Sequence, residues 1–186
     1  VTNELLFLIG GNLGVLSGDW EFVNKWLMKS EEYSKKHCLV DYSKRNARKM
    51  ADYYCHMKEY EKAKSIILNY VDQHDVISGR YENYLVGALG NIYTCMGYYD
   101  EALECYESVL QYSTAKGIIG WAAHANLGIG NINYHLGNLK EAAECTSRAY
   151  SMYKQIKQEW GLIMSGALLG ACESRVGIAP IKVACQ

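Results

Sequence analysis

The chain has 186 residues, 49% of them hydrophobic, with nineteen Lys or Arg against twenty Asp or Glu and a formal net charge of -1. That length and apolar share are enough for a full core, while near-neutrality excludes a global field that would draw nucleic acid, an anionic membrane or a strongly charged substrate. A single proline, Pro180, argues against short strands and tight turns and for helices throughout.

In chain order, apolar spacing predicts helices over 2–17 and 19–36, 40–57 and 60–73, 80–96 and 99–115, 119–136 and 139–156, and 160–175. They follow an internal repeat. Leu89-Gly90-Asn91-Ile92-Tyr93, Gly97 and Glu101-Ala102 recur 40 residues later as Ile129-Gly130-Asn131-Ile132-Asn133, Gly137 and Glu141-Ala142. Earlier copies carry Gly11-Asn12-Leu13 with Gly18, and Ala51-Asp52-Tyr53 with Lys58 and Ala63; a fifth opens with Leu169-Gly170 and Gly177, then departs at Ile178 to Pro180. The repeats fall at about 1–38, 39–78, 79–117, 118–157 and, in part, 158–186, within one domain. Beginning at Val1 and stopping at Gln186 inside an unfinished helix pair, the chain reads as a segment of a longer polypeptide.

Each copy makes sense as two antiparallel helices. The small residue at Gly11, Ala51, Gly90, Gly130 and Gly170 lets the paired helix cross closely. The residue seven later, Gly18, Lys58, Gly97, Gly137 or Gly177, suits the C-terminal cap of the first helix. Small Ala63, Ala102 and Ala142 bring the second helix back, with Ile67 and Tyr70, or Tyr106 and Val109, continuing its apolar face. One pair cannot bury both faces, so stacking completes the core.

Leu89, Gly90, Tyr93, Ala102 and Tyr106 match in order the pattern of the tetratricopeptide repeat, and the chain resembles that family over nearly its whole length. The period of 40 exceeds the usual value of about 34, no tryptophan precedes the glycine by four, and the closing proline is missing. In this it is similar to the long-period repeats of bacterial signalling and transcription regulators of the maltose-regulon activator kind, of peptide-pheromone receptors and of kinesin light chain. The resemblance implies an all-α, right-handed α-α superhelix of about four and a half helix pairs. It also implies that the first helices line a concave face and that the chain is not an enzyme. The family's ligand-facing offsets fall on Asn12 in the first copy, on Arg45, Arg48, Asp52, Cys55 and His56 in the second, on Tyr84, Asn91 and Thr94 in the third, and on His124, Asn131, Tyr134 and His135 in the fourth.

Among these, Asn12, Asp52, Asn91 and Asn131 recur directly after the small position, where amides are poor helix formers. An amide ladder can hold the main chain of an extended peptide; the same side chains can instead brace neighbouring turns. Arg45 and Arg48, flanked by Lys44 and Lys49, form the one dense basic cluster, suited either to a carboxylate or to a solvated helix face. Tyr84 and Tyr134 are candidate aromatic anchors.

Catalytic and metal chemistry find little support. The five histidines, His37, His56, His74, His124 and His135, lack zinc-site spacing, and neither Gly10-Gly11 nor Gly117 to Gly120 has the ending of a phosphate loop. The seven cysteines form no CxxC pair and read as reduced, mostly buried thiols of a cytoplasmic protein. No apolar run suffices to cross a bilayer. The expectation is therefore a protein- or peptide-binding module of a larger bacterial regulator, without cofactor or metal, not binding nucleic acid directly and able to self-associate through an end repeat. The alternative is a domain that senses a small molecule or signalling peptide in the same groove and responds by a change of superhelix.

Overall fold

The computed structural model describes residues 19–71 and 80–176, apart from the side chains of Arg80, Tyr81 and Val176. Eight helices and no strand occur among the described residues: α1 (Trp20–Lys36), α2 (Val40–His56), α3 (Tyr60–Leu68), α4 (Arg80–Met96), α5 (Tyr99–Ala115), α6 (Ile119–Leu136), α7 (Leu139–Gln155) and α8 (Glu159–Val176). The expected first helix, the residues 72–79 and the departure at Ile178 to Pro180 lie outside them. The all-α expectation is met, and most helix bounds agree with the repeat to within a residue or so. The exception is α3, which ends at Leu68 rather than near 73: Asn69 occupies its C-cap, and the Tyr70 hydroxyl is drawn away to donate to Glu31 Oε1 at 2.9 Å.

Local chemistry explains the helix ends. Asp19 caps α1, its Oδ1 accepting from the Phe22 amide at 2.9 Å. The helices α2, α3, α5, α6 and α7 have no side-chain cap bond. Their chain reversals are closed by the helix before. At Cys38, Lys58, Gly117, Gly137 and Lys157 the backbone turns left-handed. The next amide then bonds back to the last turn: Leu39 to Ser34 O, Glu59 to Tyr54 O, Ile118 to Ser113 O, Asn138 to Asn133 O and Gln158 to Tyr153 O, at 2.8–3.1 Å. Gly97 and Gly137 were expected to be left-handed, and Lys58 as their non-glycine equivalent. Cys38, Gly117 and Lys157 add the same device at the ends of the second helices.

A lysine in that conformation is strained by roughly 1 kcal/mol. Lys157→Gly is therefore expected to raise the melting temperature by about 1–3 °C, measured by circular dichroism. A lower melting temperature would show that the unfolded-state entropy of glycine outweighs the relief.

The chain divides into two compact units, Val1–Gly97 and Tyr98–Gln186. In the first, α2 packs on α1, α3 and α4, and α3 also packs on α4. Val23, Leu27, Ala47, Ala51, Ala63 and Ile67 are buried there. The core also holds a polar knot. Asn46, fully buried, accepts from Ser30 Oγ at 3.1 Å and donates to Ser34 Oγ and Glu31 Oε2 at 3.4 Å. Because each buried polar atom here has a partner, the knot fixes the register of α1 on α2 without an orphaned group.

In the second unit α6 packs on α5, α7 and α8, and α7 on α8. Ala142 and Ala149 are fully buried, and Thr146 approaches the backbone of Gly130 so closely that a Cβ there would lie 2.4 Å from its Oγ1. This bears out the small-residue reading at Gly130, whereas a Cβ on Gly170 would meet nothing within 4 Å, so no close crossing occurs there among the described residues. Two further glycines serve as seats for aromatic rings: a Cβ on Gly128 would lie 2.4–2.6 Å from three Tyr106 ring atoms, and one on Gly161 2.3–2.5 Å from three of Tyr153. Burial pushes the Tyr153 phenol up to about 12.

Candidate functional site

In each unit the first helices of successive pairs adjoin, α2 with α4 and α6 with α8, so each unit presents a face of the kind expected to bind. On the α2–α4 face the sequence-expected residues come together. The Arg48 Nε donates to Asp52 Oδ1 at 3.2 Å, one turn along α2, and an Nη donates across to the Tyr84 carbonyl of α4 at 3.2 Å. Its guanidinium carbon lies 5.0 Å from the Tyr84 ring centroid, a cation–π contact. Burial raises the Tyr84 phenol; Arg48 opposes the shift, Asp52 reinforces it and Arg45 opposes it. Arg45 also sits over the Tyr42 ring at 5.6 Å. The carboxylate that Arg48 engages in this structure is thus its own helix's Asp52.

Lower on the same face, burial pushes the Cys55 thiol up to about 12, with Cys95 and Asp52 adding to the shift and Arg48 subtracting. His56 stacks on Trp20 of α1 with centroids 4.0 Å apart. Asn91 is half-buried, and the Thr94 hydroxyl donates to Gly90 O at 2.8 Å within its own helix.

Beside the arginines, Lys44 of α2 makes a short ion-paired hydrogen bond to Glu82 of α4. The Lys44 bond holds the Glu82 carboxyl below the usual carboxylate range, with burial opposing. A depressed carboxylate contributes stability that is present above its unfolded value, about 4.3, and lost as pH falls through the folded value. Thermal melts of wild type and Glu82→Gln should therefore differ at pH 7 and converge as pH drops below about 4. A gap that persists in acid would show that the bond is not what Glu82 contributes.

On the α6–α8 face, Tyr134 lies under the Arg175 guanidinium at 4.9 Å and against His135 at 6.0 Å, and His135 stacks on Tyr99 at 6.0 Å. His124 points its ring toward the buried Tyr106 of α5 at 6.0 Å, edge to face, and is half-buried. Asn131 is half-buried on α6. Asn12 lies outside the described residues.

Sequence reasoning missed the buried amides that do engage in hydrogen bonding, because they fall outside the repeat register. They are Asn46 and Asn126; the latter donates to Ala122 O at 2.9 Å and accepts from Arg148 Nε at 3.2 Å. It also missed Arg175. The thiols need a correction: among the described cysteines only Cys145 and Cys172 are buried, Cys55 and Cys105 are partly so, and Cys38 and Cys95 are exposed. Cys38 is exposed because it occupies a left-handed chain reversal. No group of three metal-ligating side chains and no helix long and apolar enough to cross a membrane occur among the described residues.

The α6–α7 pair, with its left-handed cap at Gly137 and its small-residue crossing at Gly130, has the form of a tetratricopeptide-like helix pair. Residues 80–155 match the sequence profile of the tetratricopeptide repeat family. Repeats of this type are in general non-catalytic scaffolds for protein interaction. A comparison with curated proteins finds no match.

Proposed function

We propose that the chain is a protein- or peptide-binding scaffold that takes an extended segment along the face of its first helices. In this reading it is the repeat region of a larger bacterial signalling or transcription regulator, works in the cytoplasm and self-associates through an end repeat. The observation that carries the binding reading is the reach of Arg48 from α2 to Tyr84 of α4, through a hydrogen bond to its carbonyl and a cation–π contact with its ring, while Asp52 holds the same guanidinium. A partly buried aromatic ring braced by a guanidinium is a preorganised anchor of the kind that dominates interfaces. Asn91, on the same helix as Tyr84, supplies an amide donor and acceptor for a bound main chain.

The test is selection of ligands from a random peptide library on the 186-residue chain, followed by titration of a recovered peptide. Arg48→Ala and Asn91→Ala should each weaken binding about tenfold or more while circular dichroism stays helical. Unchanged binding by both variants would remove the groove assignment.

A further inference from the structure

On the α2–α4 face both ion pairs turn the cation inward and leave the carboxylate to solvent. The Arg48 side chain is 15% exposed and Lys44 16%, against 46% for Asp52 and 28% for Glu82. Packing is the reason. The Arg48 guanidinium lies on the Tyr84 ring and donates to the Tyr84 carbonyl, which draws it toward α4. Asp52, one turn further along α2, accepts from Arg48 Nε through Oδ1 and makes no other hydrogen bond among the described residues. What reads in the sequence as a basic cluster therefore presents a carboxylate at Asp52.

Asp52 opens onto the half of the face that has no cation fixed beside it. Lys44 meets Glu82 near the start of both helices and Arg48 meets Tyr84 a turn on, so α2 and α4 run parallel. At their far ends Cys55 and Cys95, each next to last in its helix, act on one another, and Asp52 acts on Cys55. After Glu82, α4 carries no charged residue through Met96. A helix C-terminus bears partial negative charge that a cation offsets, and the last turn of α4 has no basic residue to do so. Burial keeps both thiols neutral, and the Thr94 hydroxyl, donating to Gly90 O, offers its oxygen only as an acceptor.

Arg48, Asp52 and His56 follow at intervals of four and share one stripe of α2. His56 stacks on Trp20 with centroids 4.0 Å apart, an aromatic pair able to take the apolar stem of a long basic side chain. Arg45 stands seven residues before Asp52, about 10 Å along the helix, half-buried over Tyr42, far enough for its repulsion to be screened. We infer that Asp52 is the subsite for a lysine or arginine side chain of the bound peptide. One carboxylate oxygen is held by Arg48, the other takes the ligand's cation, and the stem lies along His56 and Trp20. The subsite presupposes the peptide-binding reading above and adds the sign of the charge that the face selects.

Peptides selected from a random library on the 186-residue chain should carry Lys or Arg at one fixed position. In calorimetric titration of one such peptide, Asp52→Asn and replacement of that basic residue by norleucine should each weaken binding about tenfold or more. The two changes together should cost little more than either alone. Asp52→Asn loses only a solvent-exposed pair one turn apart, so the variant should melt close to wild type. Were Arg48 the ligand's contact, the sign would reverse: acidic peptides would be selected and Asp52→Asn would strengthen their binding, which overturns the assignment. Selected peptides that lose affinity on Arg48→Ala and Asn91→Ala, yet lack a basic residue or ignore Asp52→Asn, would remove the subsite and leave the groove reading standing. Recovery of no peptide, or of peptides indifferent to Arg48→Ala and Asn91→Ala, would remove both.

Discussion

Tyr106→Ala is expected to destabilise the chain by about 3–5 kcal/mol, the range for deleting a large buried aromatic. The ring is 2% exposed and is among the largest fully buried side chains; it joins α5 to α6 by lying flat on the backbone of Gly128. Alanine would leave a hollow against a glycine, which has no side chain to move into it, so relaxation is limited. His124 would lose its edge contact at the same time. Urea unfolding followed by circular dichroism measures the effect. A loss below about 1 kcal/mol would mean that α5 and α6 re-pack without the ring.

Gly128→Ala carries a sign that separates local from tertiary reasoning. Helix propensity alone predicts stabilisation by about 1 kcal/mol, since Gly128 lies within α6. The added Cβ, however, would lie 2.4–2.6 Å from three atoms of the Tyr106 ring, and a buried ring cannot swing aside. Overpacking of this kind costs about 1–3 kcal/mol, and the contact is tight enough that we expect net destabilisation. The two sites are coupled. In the Tyr106→Ala background the methyl has room, and Gly128→Ala should turn neutral or stabilising. A stabilising Gly128→Ala in the wild-type background would contradict the close seating of the ring.

Much of the fold was legible because the repeat samples the same physics several times. Gly97, Gly137 and Lys58 could be placed at helix ends from their common register, and Gly130, Ala63, Ala102 and Ala142 as small residues of a close crossing. Gly97, Gly137 and Lys58 are left-handed, the three alanines are fully buried, and Gly130 is closely approached by Thr146 and Ala142. The candidate site was legible only in part. Arg48, Asp52 and Tyr84 could be assigned to one face, but the bond from Arg48 to the Tyr84 carbonyl joins residues 36 apart, and no periodicity encodes it. His124 was placed on the groove face by register, but its edge contact with the Tyr106 ring joins residues of two helices and no periodicity encodes it.

The one-dimensional pattern therefore determined which residues are helical, where most helices end and which positions must be small, since these depend on neighbours three to seven residues away along the chain. Tertiary structure alone decided that Gly128 and Gly161 seat tyrosines, that Asn46 and Asn126 each bond to neighbours within their own unit, and that Trp160, Ile163 and Met164 stand bare on α8. Those outcomes depend on which side chain of another helix fills the space beside each residue. The chain brings that neighbour from tens of residues away, and its shape cannot be read from local spacing.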